Sequence, residues 1–269
     1  MQPIGKTYDG GVFTVEPGMG TAYAAATDDH DASYSGPDAV APPMFHVRPC
    51  IGLMMQCARD PELGIDFLRL VHGEHTMRFQ RLLRDGDTVA LTGELLSVDE
   101  KSSGTLFTFA LRGTVDGTPA FDGETTYFIR AAKKADGPKK PRPPAEPPPT
   151  PTWTASQPVT ADQAHRYAAA SGDHNPIHLD AAVATKAGLP GVILHGLCTL
   201  AFAQRDLVAR YCPGEPGRLA SLGVRFAAPV FPGDTLTLQV WETEGGRVAF
   251  QTLDGRGKPV LTGGSAEIR

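Results

Sequence analysis

The stretch Tyr167-Ala168-Ala169-Ala170-Ser171-Gly172-Asp173-His174-Asn175 decides the reading of the chain. A diverged copy of it, Tyr23-Ala24-Ala25-Ala26-Thr27-Asp28-Asp29-His30-Asp31, stands 144 residues earlier. A second pair of blocks agrees: Arg78-Phe79 with Gly86-Asp87-Thr88-Val89 answers Arg225-Phe226 with Gly233-Asp234-Thr235-Leu236, at an offset of 147. Two matched blocks whose offsets differ by three are what a duplication with one small insertion gives. Each copy then has about 125 residues, enough for a single domain.

The prolines mark the boundary between the copies. Eight of the 24, Pro138, Pro141, Pro143, Pro144, Pro147, Pro148, Pro149 and Pro151, lie between Ala131 and Thr152. Proline has no amide donor and a fixed φ, so this stretch can join neither a helix interior nor a central strand. It reads as an extended linker, 131–152, between an N-terminal repeat, 1–130, and a C-terminal repeat, 153–269. Lys133, Lys134, Lys139, Lys140 and Arg142 also fall here, but no aromatic residue interleaves and the chain is net −5. A solvated connector is therefore expected, with no nucleic-acid or membrane partner.

Both copies follow one order of elements. In the second, Thr160 and Gln163 have capping-box spacing and predict a short helix through Ala170, ended by Gly172. After a polar loop, Leu197, Leu200, Ala201, Leu207, Val208 and Tyr211 recur at helical spacing, a stripe read as core. Strands are predicted at 219–226, 235–244, 247–253 and 259–268, and in the first copy at 75–83, 88–98, 105–115 and 120–130, after a helix around 49–58. Alternation in Thr235–Trp241 implies one covered sheet face. The simplest assembly is α+β, a central helix on a strongly curved antiparallel sheet in each half, with the two sheets edge to edge.

The chemistry is expected in Ser171–Asp180. Gly172 and Pro176 force a turn, so Asp173, Asn175 and His178 can converge from an irregular segment. An acid, an amide and an imidazole together can hold one water and both remove and deliver a proton, which suits hydration or dehydration. Each residue also has a plainer reading: Asp173 as a turn cap, Asn175 as an Asx-turn residue, His178 as a core histidine. His174 and His178 have i, i+4 spacing, but Pro176 breaks the helix that would place both on one face and no third ligand is in view. No metal is expected.

The run Arg166–Asp180, followed by Ala187-Gly188-Leu189-Pro190-Gly191-Val192-Ile193-Leu194-His195-Gly196-Leu197-Cys198-Thr199, resembles the hydratase 2 motif of the MaoC-like dehydratases. These are hot-dog proteins, often with two repeats in one chain. The resemblance implies a double hot-dog fold and R-specific hydration of trans-2-enoyl-CoA to (R)-3-hydroxyacyl-CoA, or the reverse, with no cofactor beyond the thioester substrate. It gives Asp173 and His178 the acid/base pair, with Asp173 taking the proton from water and His178 delivering one to Cα, or the two exchanged. Asn175 helps hold the water, and the Gly196 N–H receives the thioester oxygen. His195 is placed with the substrate-binding residues. Ala181 stands where the family usually has proline.

Aligning Asp29 on Asp173 puts Asp31 opposite Asn175 and Tyr34 opposite His178, so the first copy lacks the imidazole. One site per chain is expected, with the first repeat shaping an acyl pocket. Met44, Phe45, Met54 and Met55 are candidate lining, with core packing an equally good reading. A homodimer in fatty acid metabolism is the expected setting. The alternatives are a 3-hydroxyacyl dehydratase acting on acyl-carrier-protein thioesters, a non-catalytic acyl-thioester-binding hot-dog, and a thioesterase.

The rest of the composition sets limits. With 41% hydrophobic and 20% charged residues the chain is not wholly disordered. No run approaches the roughly 18 apolar residues of a spanning helix, and a cytoplasmic protein is expected. Cys50, Cys57, Cys198 and Cys212 form no CxxC pair and are read as reduced thiols, not a disulfide or zinc framework.

Overall fold

Ten antiparallel strands form one continuous sheet in the computed structural model, which describes residues 3–67, 69–131 and 149–269. In chain order the strands are β1 (Thr7–Thr14), β2 (Leu70–Phe79), β3 (Thr88–Lys101), β4 (Gly104–Val115), β5 (Thr118–Arg130), β6 (Trp153–Pro158), β7 (Leu219–Phe226), β8 (Thr235–Glu242), β9 (Arg247–Leu253) and β10 (Pro259–Ile268). The helices are α1 (Met19–Ala26), α2 (Val47–Ala58), α3 (Gln163–Ser171), α4 (Ala181–Lys186) and α5 (Gly196–Tyr211). The sheet order, β1-β3-β4-β5-β2-β7-β10-β9-β8-β6, is one five-strand pattern followed by its reverse. Most of the 131–152 linker, residues 132–148, lies outside the described residues.

The seam is the β2·β7 pair. Its register places Glu74 opposite Arg225, Thr76 opposite Gly223 and Arg78 opposite Ser221. Thr76 and Gly223 are 147 residues apart, the offset of the repeat itself, so each is paired with its own copy and a pseudo-twofold axis runs between them. Gly223 is required there, because a Cβ would come within 2.8 Å of the Thr76 methyl. Glu74 and Arg225 add an exposed ion pair across the seam.

Two strands escaped the sequence reading. Among the described residues β1 pairs with β3 alone and carries a bulge between Asp9 and Gly11, and β6 pairs with β8 alone and ends in Pro158. Both are edge strands, where a bulge or a proline costs no ladder bond on the open side. The single three-residue insertion is also revised. His46 and His195 both precede a central helix, 149 residues apart, and α5 has 16 residues against 12 for α2. The second copy carries the extra helix α4, so the net offset of three is a balance of several insertions and deletions.

The Tyr-Ala-Ala-Ala helices α1 and α3 pack on each other, their alanines allowing close approach. The capping box predicted at Thr160 does not form: the Thr160 hydroxyl donates to Asp162, and α3 has no side-chain cap. The Gln163 amide instead donates to the Ala26 carbonyl, 2.7 Å away, satisfying an orphan acceptor at the end of α1. The halves share one apolar core, in which Met44, Phe45 and Met54 are buried and Met55 is half-buried. The four cysteines are free and buried.

Candidate active site

The second-copy loop begins where α3 ends on Gly172 in the left-handed region, φ 75°. Its counterpart Asp28 adopts the same conformation, φ 52°, so the turn survives in both copies although only one kept the glycine suited to it. The Asp173 carboxylate accepts the Asn175 N–H, and the side-chain Oδ1 of Asn175 accepts the Ile177 N–H at the start of a short 3-10 turn over Pro176–His178. Asn175 is thus an Asx-turn residue, with its amide nitrogen left over for another partner. In the first copy Asp31 caps the turn Ala32–Tyr34 in the same way.

His178 is buried, and its Nδ1 lies 2.8 Å from the Ile193 carbonyl. A carbonyl only accepts, so Nδ1 carries the proton and Nε2 of the neutral ring has its lone pair free. Burial lowers the proton affinity of His178, and the nearby Asp173 carboxylate partly opposes this. His195, the residue before α5, stacks on His178 with ring centroids 3.8 Å apart. Its Nε2–H donates to the Asp173 carbonyl at 2.9 Å. Burial, reinforced by His178, pushes His195 down to about 3, so it is neutral near pH 7. The His195 Nδ1 is buried without a partner among the described residues.

Asp173, His178 and His195 therefore converge, each offering one donor atom, all within 4.8 Å of one another. By sequence spacing alone His174 pairs with His178, with no third ligand in view. In the structure His174 is exposed and is not a member of the cluster, and His195 joins from 17 residues beyond His178. This donor set could hold a divalent ion as well as a water. Neither histidine can use its hydrogen-bonded nitrogen for that purpose without losing its anchor.

Gly196 opens α5, whose first amides have no intrahelical acceptor and carry the positive end of the helix dipole. A Cβ on Gly196 would come within 2.9 Å of the Phe226 ring. The close packing of that ring on the helix start thus depends on glycine. Phe226 in turn lies 4.7 Å, centroid to centroid, from His72 on β2 of the first copy. His72 is half-buried, its Nε2 is 2.8 Å from the Thr125 hydroxyl, and burial pushes it down to about 4 despite the Asp173 carboxylate nearby. Arg48 on α2 packs against Gly172 and over the Phe13 ring. The N-terminal repeat thus contributes His72 and Arg48 to the surroundings of the loop. No motif marks either in the sequence.

The architecture is that of a double hot-dog protein, two curved half-sheets each enclosing a central helix. A family model described as MaoC like domain matches residues 144–263, and one described as FAS1-like, dehydratase domain region, matches residues 2–120. The chain is 30% identical over 213 residues to a probable enoyl-CoA hydratase 2 of Dictyostelium discoideum, with 76% of this chain and 72% of that protein covered. It is 32% identical over 279 residues to peroxisomal multifunctional enzyme type 2 of Drosophila melanogaster, covering 96% of this chain and 45% of that protein. This chain thus spans a little under half of the Drosophila protein's length. The crystal structure of a MaoC-like dehydratase from Phytophthora capsici matches with a TM-score of 0.81 at 25% identity, over 98% of this chain and 94% of that one. The chain belongs to the MaoC-like dehydratase family. No helix among the described residues is long and apolar enough to cross a membrane.

Proposed function

We propose that this protein is a hydro-lyase that adds water to trans-2-enoyl-CoA to give (R)-3-hydroxyacyl-CoA, or runs the reverse dehydration. The observation that carries this reading is the free Nε2 of His178, anchored through Nδ1 beside the Asp173 carboxylate and next to the start of α5.

A neutral imidazole with an open Nε2 accepts a proton before it gives one. This favours the exchanged order of roles: His178 Nε2 takes a proton from the water as the hydroxyl oxygen bonds to C3. The C2=C3 electrons move toward the thioester, and its oxygen gains charge against the first amide of α5, at Gly196. The imidazolium then gives the same proton to C2 on the same face. No proton is gained or lost overall. Asp173 accepts the second O–H of the water and stabilises the imidazolium while it exists, and the Asn175 amide holds the water's oxygen. Positioned proton transfer of this kind contributes about 10²–10⁴-fold. His195, held neutral, packs against the His178 ring and keeps its orientation.

Loss of the enoyl-thioester absorbance, with free thiol assayed in parallel, separates hydration from hydrolysis and from binding alone. Asp173→Asn and His178→Ala are each expected to lower kcat by about 10²-fold or more with the fold intact. Near-wild-type turnover in either rejects the assignment. Chiral analysis should find the R product, and rates on CoA and carrier-protein thioesters identify the carrier. We further propose a homodimer working in the cytoplasm.

A further inference from the structure

His75 is completely buried on β2, yet neither ring nitrogen has a hydrogen-bond partner among the described residues. A neutral imidazole always presents one donor and one acceptor, and burying both unmet is unfavourable. Volume alone does not explain the residue. The next inward-facing positions of the same strand are Met77 and Phe79, both apolar and buried.

Its surroundings lead back to the active site. The register shift of β2 against β5 at Gly73 turns His72 and His75 to the same covered side of the sheet, with ring centroids 5.4 Å apart at 89°. His72 lies against Phe226, and Phe226 against Gly196. His75 thus sits behind the place where the thioester oxygen is expected, at the seam between the repeats, with Thr125 and Val224 opposite it on the flanking strands. His75 has no exposed surface, so what would reach its ring from the thioester is the acyl chain and not the charged end of CoA. Resting on the hydratase reading, we propose that His75 is a specificity-determining residue that hydrogen-bonds an oxygen substituent, a hydroxyl or a carbonyl, on the acyl chain. The preferred substrate class is then an oxygenated enoyl thioester and not a plain alkyl one. A carboxylate is a poor fit, because the Asp173 carboxylate already lies near His72 and would repel it.

The test uses the full chain and trans-2-enoyl-CoA thioesters of equal length, either plain or with a hydroxyl at successive positions from C5 to C10. For at least one position, wild-type kcat/KM should exceed that of the alkyl thioester by about tenfold, a modest ratio for a site built to bind a hydroxyl. His75→Leu should bring the ratio to within about twofold through the hydroxylated substrate alone, and His75→Gln should restore it. An alkyl preference at every position in the wild type overturns the proposal, even if His75→Leu fails to fold. So does an unchanged ratio in a folded His75→Leu. If no enoyl thioester is turned over, the hydratase reading fails separately. Binding of saturated acyl-CoA with and without the hydroxyl then decides this one: about tenfold tighter binding of the hydroxylated chain supports it, and equal binding overturns it.

Discussion

The hydroxyls of Tyr23 and Tyr167 lie 3.1 Å apart, with the rings edge to face at 5.6 Å. The two residues are copies of one another in the repeat, so this hydrogen bond joins a residue to its own duplicate. Both side chains are fully buried, and each hydroxyl has the other as its partner. Tyr23→Phe and Tyr167→Phe should each cost about 1–3 kcal/mol, the desolvation penalty of the hydroxyl left behind. The double variant should cost clearly less than the sum, and a double-mutant cycle in urea measures the coupling. Additive losses would show that the bond contributes little.

Asp29, the counterpart of Asp173, is buried, and burial raises it to about 6 despite hydrogen bonds from the Asp31 N–H and the Gln204 amide. The folded chain therefore holds this proton more tightly than the unfolded one. Its contribution to stability is fully present below about pH 4 and is lost as the pH rises through 6. With about 1.4 kcal/mol per unit, Asp29→Asn should gain about 2–3 kcal/mol on wild type between pH 4 and pH 7.5. Denaturation midpoints at the two pH values check this, and a gap independent of pH would refute it.

Three fully buried histidines work in the opposite sense. Burial pushes His46 down to about 4 and His195 to about 3, and holds His75 well below the ordinary range. Their contribution is complete above the unfolded value of about 6.5 and is lost as the pH falls below it. At pH 5 each should cost about 2 kcal/mol. The chain should therefore melt at markedly lower temperature at pH 5 than at pH 7.5, with net proton uptake on unfolding. Replacing His46 by Gln should reduce that difference.

The donor triad gives a test with metal. Zn²⁺ fits nitrogen and carboxylate ligands at about 2.0–2.2 Å, so it should compete with water for His178 Nε2 and the Asp173 carboxylate. Micromolar Zn²⁺ is expected to inhibit, chelator to restore full activity, and chelator alone to change nothing. Activity lost to chelator and regained with metal would make the ion part of the mechanism.

How much of this was legible follows from the range of the interactions. The repeat, the central helices and eight of the strands are written in local periodicity, and the Ser171–Asp180 loop announces itself by its turn residues. The edge strands β1 and β6 do not, because Gly10-Gly11 and Pro158 interrupt the pattern where an edge tolerates interruption. Gln163 shows the capping spacing yet bonds Ala26, 137 positions away, and nothing local signals that choice. Likewise His195 reaches Asp173 and His72 reaches Phe226 only because the sheet brings them together. Met44, Phe45 and Met54 are apolar under either reading, and their place in the core is decided by packing that the sequence does not display.

The β2·β7 seam also bears on concentration. A hot-dog unit that meets its partner by collision would expose the edge of that central strand whenever it dissociated, a long edge ready to pair with the wrong chain. Here both copies belong to one chain, which holds each near the other at a local concentration on the order of millimolar. The seam between the copies therefore persists at any dilution. One copy can then lose its imidazole without the assembly losing its mate, since the half that keeps His178 is always joined to the half with Tyr34 in its place.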